Sequence, residues 1–527
     1  MTALVPPLRL VLPGLLALGL LALPVAPAAP VAAESPSAAV ARQVAVAPAR
    51  ARTADAPRVG YRLRRDGTAA GAWFGSRRLD DDVVFRVDPG RAPDTRRFRG
   101  PRWVSTLTGA GPVDVTRART RRAAWILAKY GVYRDQAQAA AVELALDALL
   151  FGGAYSVDGA RTQRRLDQTP DPATVLGLAD YMLATSQQLA GPYRVSVDAV
   201  GAAVGDPVGV TVTVTTRSTD QPIRKLPVQV ALGARTAGGV TGDDGVARLS
   251  VMATQAGPQT YATVVRLLPT DRLLVRRPAS GRGSRVVLAG QKQSRIVRRD
   301  VAVRARPQVE LTGPATARLT APLPGTVAVT GGYASTRTAT VSLHGPFPVG
   351  SFRHCSPDSV ASTAQLEVAG DGPYAVPTVT VPAPGVYNWS VEVPGDAYNL
   401  PASACGRVFT AKAVPSLDVA STRTAIPLRG DVRARVDVSG LPEDYADDVR
   451  VRLFGPFDSR AEVRCTDGHL ARRRTVAVTA PDARGTTDPV TLQSAGVFAW
   501  QATLPAGPLS VSVVTACGAS GSLVRVG

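Results

Sequence analysis

This 527-residue chain has only four cysteines, and they follow a rule. The stretch LHGPFPVGSFRHC, Leu343 to Cys355, returns as LFGPFDSRAEVRC, Leu453 to Cys465. Gly345, Pro346, Phe347 and Cys355 match Gly455, Pro456, Phe457 and Cys465 at an offset of 110. Gly385, Tyr387 and Trp389 match Gly496, Phe498 and Trp500 at 111, and Cys405 matches Cys517 at 112. Agreement in order and spacing means two copies of one domain of about 110 residues. Four cysteines allow three pairings. Duplication favours the one that repeats, Cys355 with Cys405 and Cys465 with Cys517, each bridge tying one module across its own layers. Closing about fifty residues stabilises each copy by roughly 4 kcal/mol, and such bridges belong to an oxidising compartment.

Other reactive side chains are sparse. The three histidines, His344, His354 and His469, lack metal-ligand spacing and read as surface residues. Neither a G-x-S-x-G elbow nor a phosphate-binding glycine loop occurs. Asp80, Asp81 and Asp82 lack the spacing of a calcium loop and read as a solvated turn. Glu143 and Asp147 lie four apart in a helical segment and so share a face, where an acid–base pair or a solvated helix surface is equally served. No catalytic residue, metal or cofactor is assigned.

Among the elements that carry these residues, 1–33 read as a secretory signal: Arg9, an apolar run from Leu10 to Leu23, then small residues interrupted by Pro24, Pro27 and Pro30. Residues 34–58, rich in Ala, Pro, Val and Arg, read as a disordered linker. Residues 59–192 begin with short apolar alternation (VVFRV, Val83 to Val87) and turn helical. Ala123, Ile126, Leu127 and Tyr130 share one face, as do Val142, Leu146, Leu149 and Leu150. A third helix is expected from Asp171 as N-cap with Pro172 at the first position. From Tyr193 the period falls to two, with strands YRVSVDAV, VGVTVTVTT and LPVQVAL and a turn at Asp244-Gly245. Residues 193–306 are therefore expected to form a β-sandwich, and the copies, 307–412 and 413–527, two more. Within a copy, Val449, Val451 and Leu453 alternate with Arg450 and Arg452, giving one buried and one solvated face. Tyr387 and Trp389, like Phe498 and Trp500, are two apart and are assigned to the sandwich core rather than to a sugar-stacking platform.

The formal net charge is +20, and only Lys129, Lys225, Lys292 and Lys412 among the 61 basic residues are lysines. Arginine spread through all regions, densest from Arg266 to Arg306, reads as a solvated basic surface. Binding to a polyanion is the alternative; a nucleic-acid partner is not expected.

Residues 59–192, through WVSTLTGAG, AAWILAKYG and QAAAVELALDALL, resemble the thioester-domain heads of actinobacterial surface proteins, which stand on immunoglobulin-like stalks. The resemblance implies an α+β head. In that family a Cys and a Gln form an internal thioester that captures an amine. Here the Gln position is Glu143 and the region holds no cysteine, so the resemblance implies a degenerate head without covalent chemistry. Residues 193–306 are similar to immunoglobulin-like or transthyretin-like stalk modules, and 308–527 to repeats of actinobacterial wall proteins. Lys–Asn isopeptide staples, frequent in pilin stalks, are excluded for both copies, since Asn388 and Asn399 are the only asparagines and both lie in the first.

The expectation is a multidomain protein: an α+β head followed by three all-β immunoglobulin-like sandwiches. It is secreted or wall-associated, without a transmembrane segment in its mature form, and monomeric. It acts without catalysis, adhesin-like or structural, on a wall polymer or on a host or neighbouring-cell surface ligand. A wall hydrolase using Glu143 or Asp147 is the competing reading.

Overall fold

The computed structural model describes residues 58–527 apart from 66–67, 92–96, 110, 320, 352–353, 444 and 481. The signal over 1–33 and the linker over 34–58 fall outside the described residues, Arg58 excepted. Strand dominates, and among the described residues no helix is long and apolar enough to cross a membrane.

The first region builds strands β1 (Val59–Arg65), β2 (Thr68–Leu79), β3 (Asp82–Arg86) and β4 (Arg102–Val104), then helices α1 (Arg117–Tyr130), α2 (Gln136–Leu150), α3 (Ala160–Leu166) and α4 (Pro172–Leu189). Side chains start the helices where the orphan amides need acceptors: Thr116 caps α1, Asp135 caps α2 and Asp171 caps α4, with Pro172 in its first turn. Gly131 ends α1, its amide donating to the Leu127 carbonyl. Helix α2 is apolar nearly all round and is buried nearly all round, from Ala139 to Asp147 without a break.

Three sandwiches follow. The first has β5 (Tyr193–Val200), β6 (Ala202–Ala203), β7 (Pro207–Thr216), β8 (Pro227–Leu232), β9 (Arg235–Val240), β10 (Val246–Met252), β11 (Gly257–Pro269) and β14 (Lys292–Arg304), with β12 (Leu273–Arg276) and β13 (Val286–Leu288) between the last two. Copy one has β15 (Gln308–Thr312), β16 (Thr316–Arg318), β17 (Thr326–Thr330), β18 (Thr336–Phe347), β19 (Val360–Ala369), β20 (Gly372–Ala375), β21 (Gly385–Val393) and β22 (Ala402–Lys412). Copy two has β23 (Ser416–Ser421), β24 (Ala425–Ile426), β25 (Asp431–Val432), β26 (Ala434–Ser439), β27 (Ala446–Phe457), β28 (Leu470–Thr479), β29 (Ala483–Thr486), β30 (Val490–Thr491), β31 (Gly496–Leu504), β32 (Val513–Val514) and β33 (Leu523–Val526).

These three share one topology, although only the last two share a sequence pattern. A three-stranded sheet, β10-β7-β5, recurs as β15-β17-β20 and β23-β26-β29. It faces a longer sheet, β6-β14-β11-β8-β9, which recurs as β16-β22-β21-β18-β19 and β24-β33-β31-β27-β28. In each longer sheet the short edge strand runs parallel to the final strand: β6 on β14, β16 on β22 and β24 on β33. Alternation puts the inward residues together: Val341, Leu343, Tyr387 and Trp389 in copy one, Val451, Leu453, Phe498 and Trp500 in copy two.

The region boundary drawn at 192/193 needs correction. Strands β12 and β13 leave the first sandwich and enter the preceding sheet, whose order is β1-β2-β3-β13-β12-β4. Val275 and Val287 are buried in the same core as Phe74, Ile126 and Leu146, and that core continues into Val212, Val230 and Tyr261 of the sandwich. The period-two pattern hid this because a strand reads the same whichever sheet receives it. Charge locks the insertion: Arg285 grips Asp88 through Nε and Nη2 at 2.9 and 2.7 Å, and its backbone amide donates to the same carboxylate at 2.9 Å. Arg276 reaches Asp80 at 3.1 Å and Asp82 at 3.2 Å, so the acidic turn is tied down at Asp80 and half-exposed at Asp82, while Asp81, at 94% side-chain exposure, stands in solvent 3.9 Å from Arg78.

Residues 58–192 expressed alone should therefore fail to give a cooperative thermal transition, while 58–306 should give one, because β4 is attached to its sheet through β12 alone. Circular dichroism melts of the two fragments check this.

Candidate functional site

Glu143 and Asp147 are not on a solvated helix surface. Their side chains are 0% and 2% exposed, enclosed between α2, the first sheet and α3. A buried carboxylate must be met by charge or hydrogen bonds, or give up its ionisation. Glu143 Oε1 accepts from Arg86 Nη2 and Arg165 Nη2, each at 3.0 Å, and Oε2 accepts from the Gly75 amide at 2.5 Å. Asp147 Oδ2 accepts from Arg165 Nη1 at 2.6 Å, while Oδ1 has no hydrogen-bond partner. The Arg165 guanidinium also lies 4.0 Å from the centre of the Phe74 ring.

Backbone geometry makes the Gly75 contact possible. Gly60 and Gly75 oppose each other on β1 and β2 with φ of 133° and 137°, and a Cβ at Gly75 would lie 2.3 Å from the Val59 carbonyl oxygen.

The two carboxylates share their cations unequally. Burial alone would push the Glu143 carboxyl up, but Arg86, Arg165 and the Gly75 amide outweigh it and hold it below the usual range. Burial pushes the Asp147 carboxyl up to about 6; Arg165 counters only in part, and the charge on Glu143 adds to the rise. Burial lowers the neighbouring Arg77 to about 10, with Arg86 adding to the fall and Glu143 opposing it. The arrangement ties two strands and two helices together, and it leaves neither carboxylate open to a substrate.

Sequence reasoning missed Arg86 and Arg165. Arg86 was legible as a charge inside an apolar strand, VVFRV, just as Glu143 is a charge inside an Ala/Leu helix; each demands the other. Arg165 sits on α3, a seven-residue helix too short to show a period.

In the repeats, Cys355 pairs with Cys405 and Cys465 with Cys517, and no cysteine is free. The bridges do not cross the layers. Cys355 lies in the β18–β19 connection and Cys405 on β22, so the bond crosses β21 over the outer face of a single sheet. A bulge between Trp389 and Ser390, opposite Gly406, turns Cys405 outward. The second bridge likewise starts in the β27–β28 connection, at Cys465, and ends at Cys517 before β33.

What lies beneath differs between copies. In copy one, Asn388 Nδ2 approaches both sulfurs, at 3.2 Å from Cys355 and 3.5 Å from Cys405. His344, read as a surface residue, is 3% exposed, with Nε2 2.8 Å from Ser390 Oγ and Nδ1 3.0 Å from Ser359 Oγ. Burial chiefly lowers its pKa, opposed by the Ser356 carbonyl. Copy two fills the matching positions with Phe454 and Ala499, both buried. His354 and His469 are exposed, each against a phenylalanine, Phe347 and Phe457. Tyr387, Trp389, Phe498 and Trp500 are all at most 2% exposed, so none offers a ring to a sugar.

No family model matches the chain, and no curated protein matches it. Among solved structures it is similar to FdeC, a broadly conserved Escherichia coli adhesin, at 15% identity and a TM-score of 0.28 over 64% of this chain and 99% of that one. It is also similar to invasin, a bacterial integrin-binding protein, at 14% identity and a TM-score of 0.24 over 64% of this chain and 60% of that one. A third is the Yersinia pseudotuberculosis adhesin InvE, at 15% identity and a TM-score of 0.19, over 42% and 58% of the two chains. TM-scores this low place the chain in none of their families.

Replacing Glu143 with Gln leaves two buried guanidinia short of a counter-charge and should destabilise residues 58–306 by about 3–5 kcal/mol in urea melts. Asp147→Asn tests the unequal sharing. A carboxyl whose folded pKa is raised to about 6 gives stability that is complete below its unfolded value, about 4, and lost as pH rises through about 6. The stability of the parent relative to the variant should fall between pH 4 and 7, by up to roughly 3 kcal/mol; a flat difference would mean that Asp147 is ionised throughout.

Proposed function

We propose that the chain is an exported modular surface protein, adhesin-like or structural, acting by non-covalent binding. In this reading an α+β, thioester-domain-like head of actinobacterial type is presented by three immunoglobulin-like sandwiches. Its covalent chemistry is gone: a thioester needs a thiolate and a carboxamide, and position 143 holds a carboxylate committed to Arg86 and Arg165. The same enclosure argues against a hydrolase built on Glu143 or Asp147, since a general acid must reach its substrate.

The observation that carries the reading is a joint used twice. The sandwiches are linked by Ala305-Arg306-Pro307 and Ala413-Val414-Pro415, with the alanine and proline buried and the middle residue exposed in both. The Ala305 amide donates to the Tyr398 carbonyl at 2.7 Å and its carbonyl accepts from the Leu400 amide at 3.0 Å. Ala413 does the same with Leu509 and Val511, at 2.8 and 3.0 Å. A linker stitched by backbone bonds and fixed in φ by proline is no free hinge. Tyr333 of copy one adds a packing contact, its ring filling the space a side chain would need at Gly257. Successive clamped modules suit display at a distance from a surface, and the paired cysteines suit an oxidising exterior.

At about 0.3 M salt, where exposed charge attraction is strongly screened, fragment 58–306 should be retained on at least one of wall polymer, extracellular-matrix protein or whole cells, and 307–527 should not. Retention of neither, with both fragments folded by circular dichroism, removes the adhesin-like reading.

A further inference from the structure

The two copies bury the same kind of residues and differ on the outer face of the longer sheet. In copy one, Ser342 stands opposite Thr363 and Thr340 opposite Gln365. In copy two, the same register puts Arg452 opposite Arg473 and Arg450 opposite Thr475. Three hydroxyl positions, Thr340, Ser342 and Thr363, have become three guanidinium positions. Like charges directly across a strand pair oppose sheet formation, and copy one shows that the sheet forms without them. Edge protection accounts for Arg473, on the outermost strand, but not for Arg450 and Arg452, since β27 is paired on both sides.

Little on this face neutralises the cluster. Arg452 donates to Gln501 Oε1 at 3.1 Å and meets the exposed Asp467 at 3.7 Å. Asp448 lies on the same strand and face, two residues before Arg450. Arg450 and Arg473 are exposed. Alternate residues on one strand are about 7 Å apart and cross-strand neighbours about 5 Å, so the three arginine positions form a triangle on one face of the sheet, from which long, mobile side chains reach successive oxyanions; the Arg452 guanidinium rests 5.4 Å over the Phe454 ring. Guanidinium binds carboxylate and phosphate through paired N–H donors.

We propose that this face of the last module binds an acidic polysaccharide through Arg450, Arg452 and Arg473. A nucleic acid fits less well: single strands are held by stacking on aromatic rings, and Tyr445, Phe454, Phe457, Phe498 and Trp500, all the aromatics of this module, are buried. The proposal rests on the reading of the protein as a non-covalent surface binder and names one of its partners by chemistry.

The test uses residues 58–527 with immobilised polygalacturonate and poly(glycerol phosphate) at 50 mM and 300 mM salt. Binding to polygalacturonate should appear at low salt and fade at high salt; binding to poly(glycerol phosphate) alone, a polymer that contains no sugar, overturns the proposal. The triple variant Arg450→Thr, Arg452→Ser, Arg473→Thr carries copy one's own residues at the same register and should lose about tenfold or more. Adding Thr340→Arg, Ser342→Arg and Thr363→Arg to that variant should restore binding on copy one. Unchanged binding by the triple variant overturns the proposal. Equal binding to a DNA duplex also overturns it, assigning the face to phosphate in general, as does dimerisation of the variant, which would make the arginines guards of a free edge. None of these outcomes touches retention of 58–306 at high salt, so the two readings fail separately.

Discussion

A carboxylate withdrawn from water has to find its compensation wherever it comes to rest, and in the first region Glu143 settles how the pieces meet. Its two oxygens collect β2 through Gly75, β3 through Arg86 and α3 through Arg165. Removing either guanidinium would leave the buried carboxylates with one cation fewer than they share now, so strand, strand and helix are held to one arrangement. Such a cluster adds little net stability over apolar packing of the same volume. Its effect is on geometry: it fixes how far α2 sits from the glycine pair Gly60 and Gly75.

Downstream the constraint changes from charge to coverage. Each sandwich closes by laying three strands on a longer sheet, of five strands in the first two and of six in copy two, where β32 joins β31, and each longer sheet includes a short parallel strand at the edge beside its last strand. The bridges in the two copies do not hold the layers together; that falls to Trp389 and Trp500 and the aliphatic residues around them. The sulfur bonds instead pin the connection that crosses the outer face of the longer sheet. That outer face is where the copies diverge, with His344 and Asn388 against Phe454 and Ala499, and hydroxyls against guanidinia.

Much of this was legible in the residues. The duplication, the cysteine pairing and the inward aromatics follow from spacing, because a two-residue period and a repeated offset survive translation into structure. Helices α1, α2 and α4 followed from period and caps. Helix α3 was not legible, since seven residues hold two turns and no amphipathic stripe can be recognised. The insertion of β12 and β13 into the preceding sheet was not legible either, because local pattern specifies that a segment is extended and says nothing about its neighbour. The pairing of Arg86 and Arg165 with Glu143 is long-range, and only the oddity of lone charges in apolar segments pointed toward it. Alternation and turns gave 193–306 and the copies the same sandwich class, but their common strand order left no residue pattern, because the fold asks for alternation and turns rather than for particular residues.

The excursion of β12 and β13 also bears on how such a chain could be rearranged in evolution. A cassette cut between Pro192 and Tyr193 would carry away a sheet with its central strands left behind in the donor. Ala305 is the first position after which a cut divides no sheet, so residues 58–305 would have to be exchanged as one piece, whereas a cut after Ala413 again leaves every sheet intact.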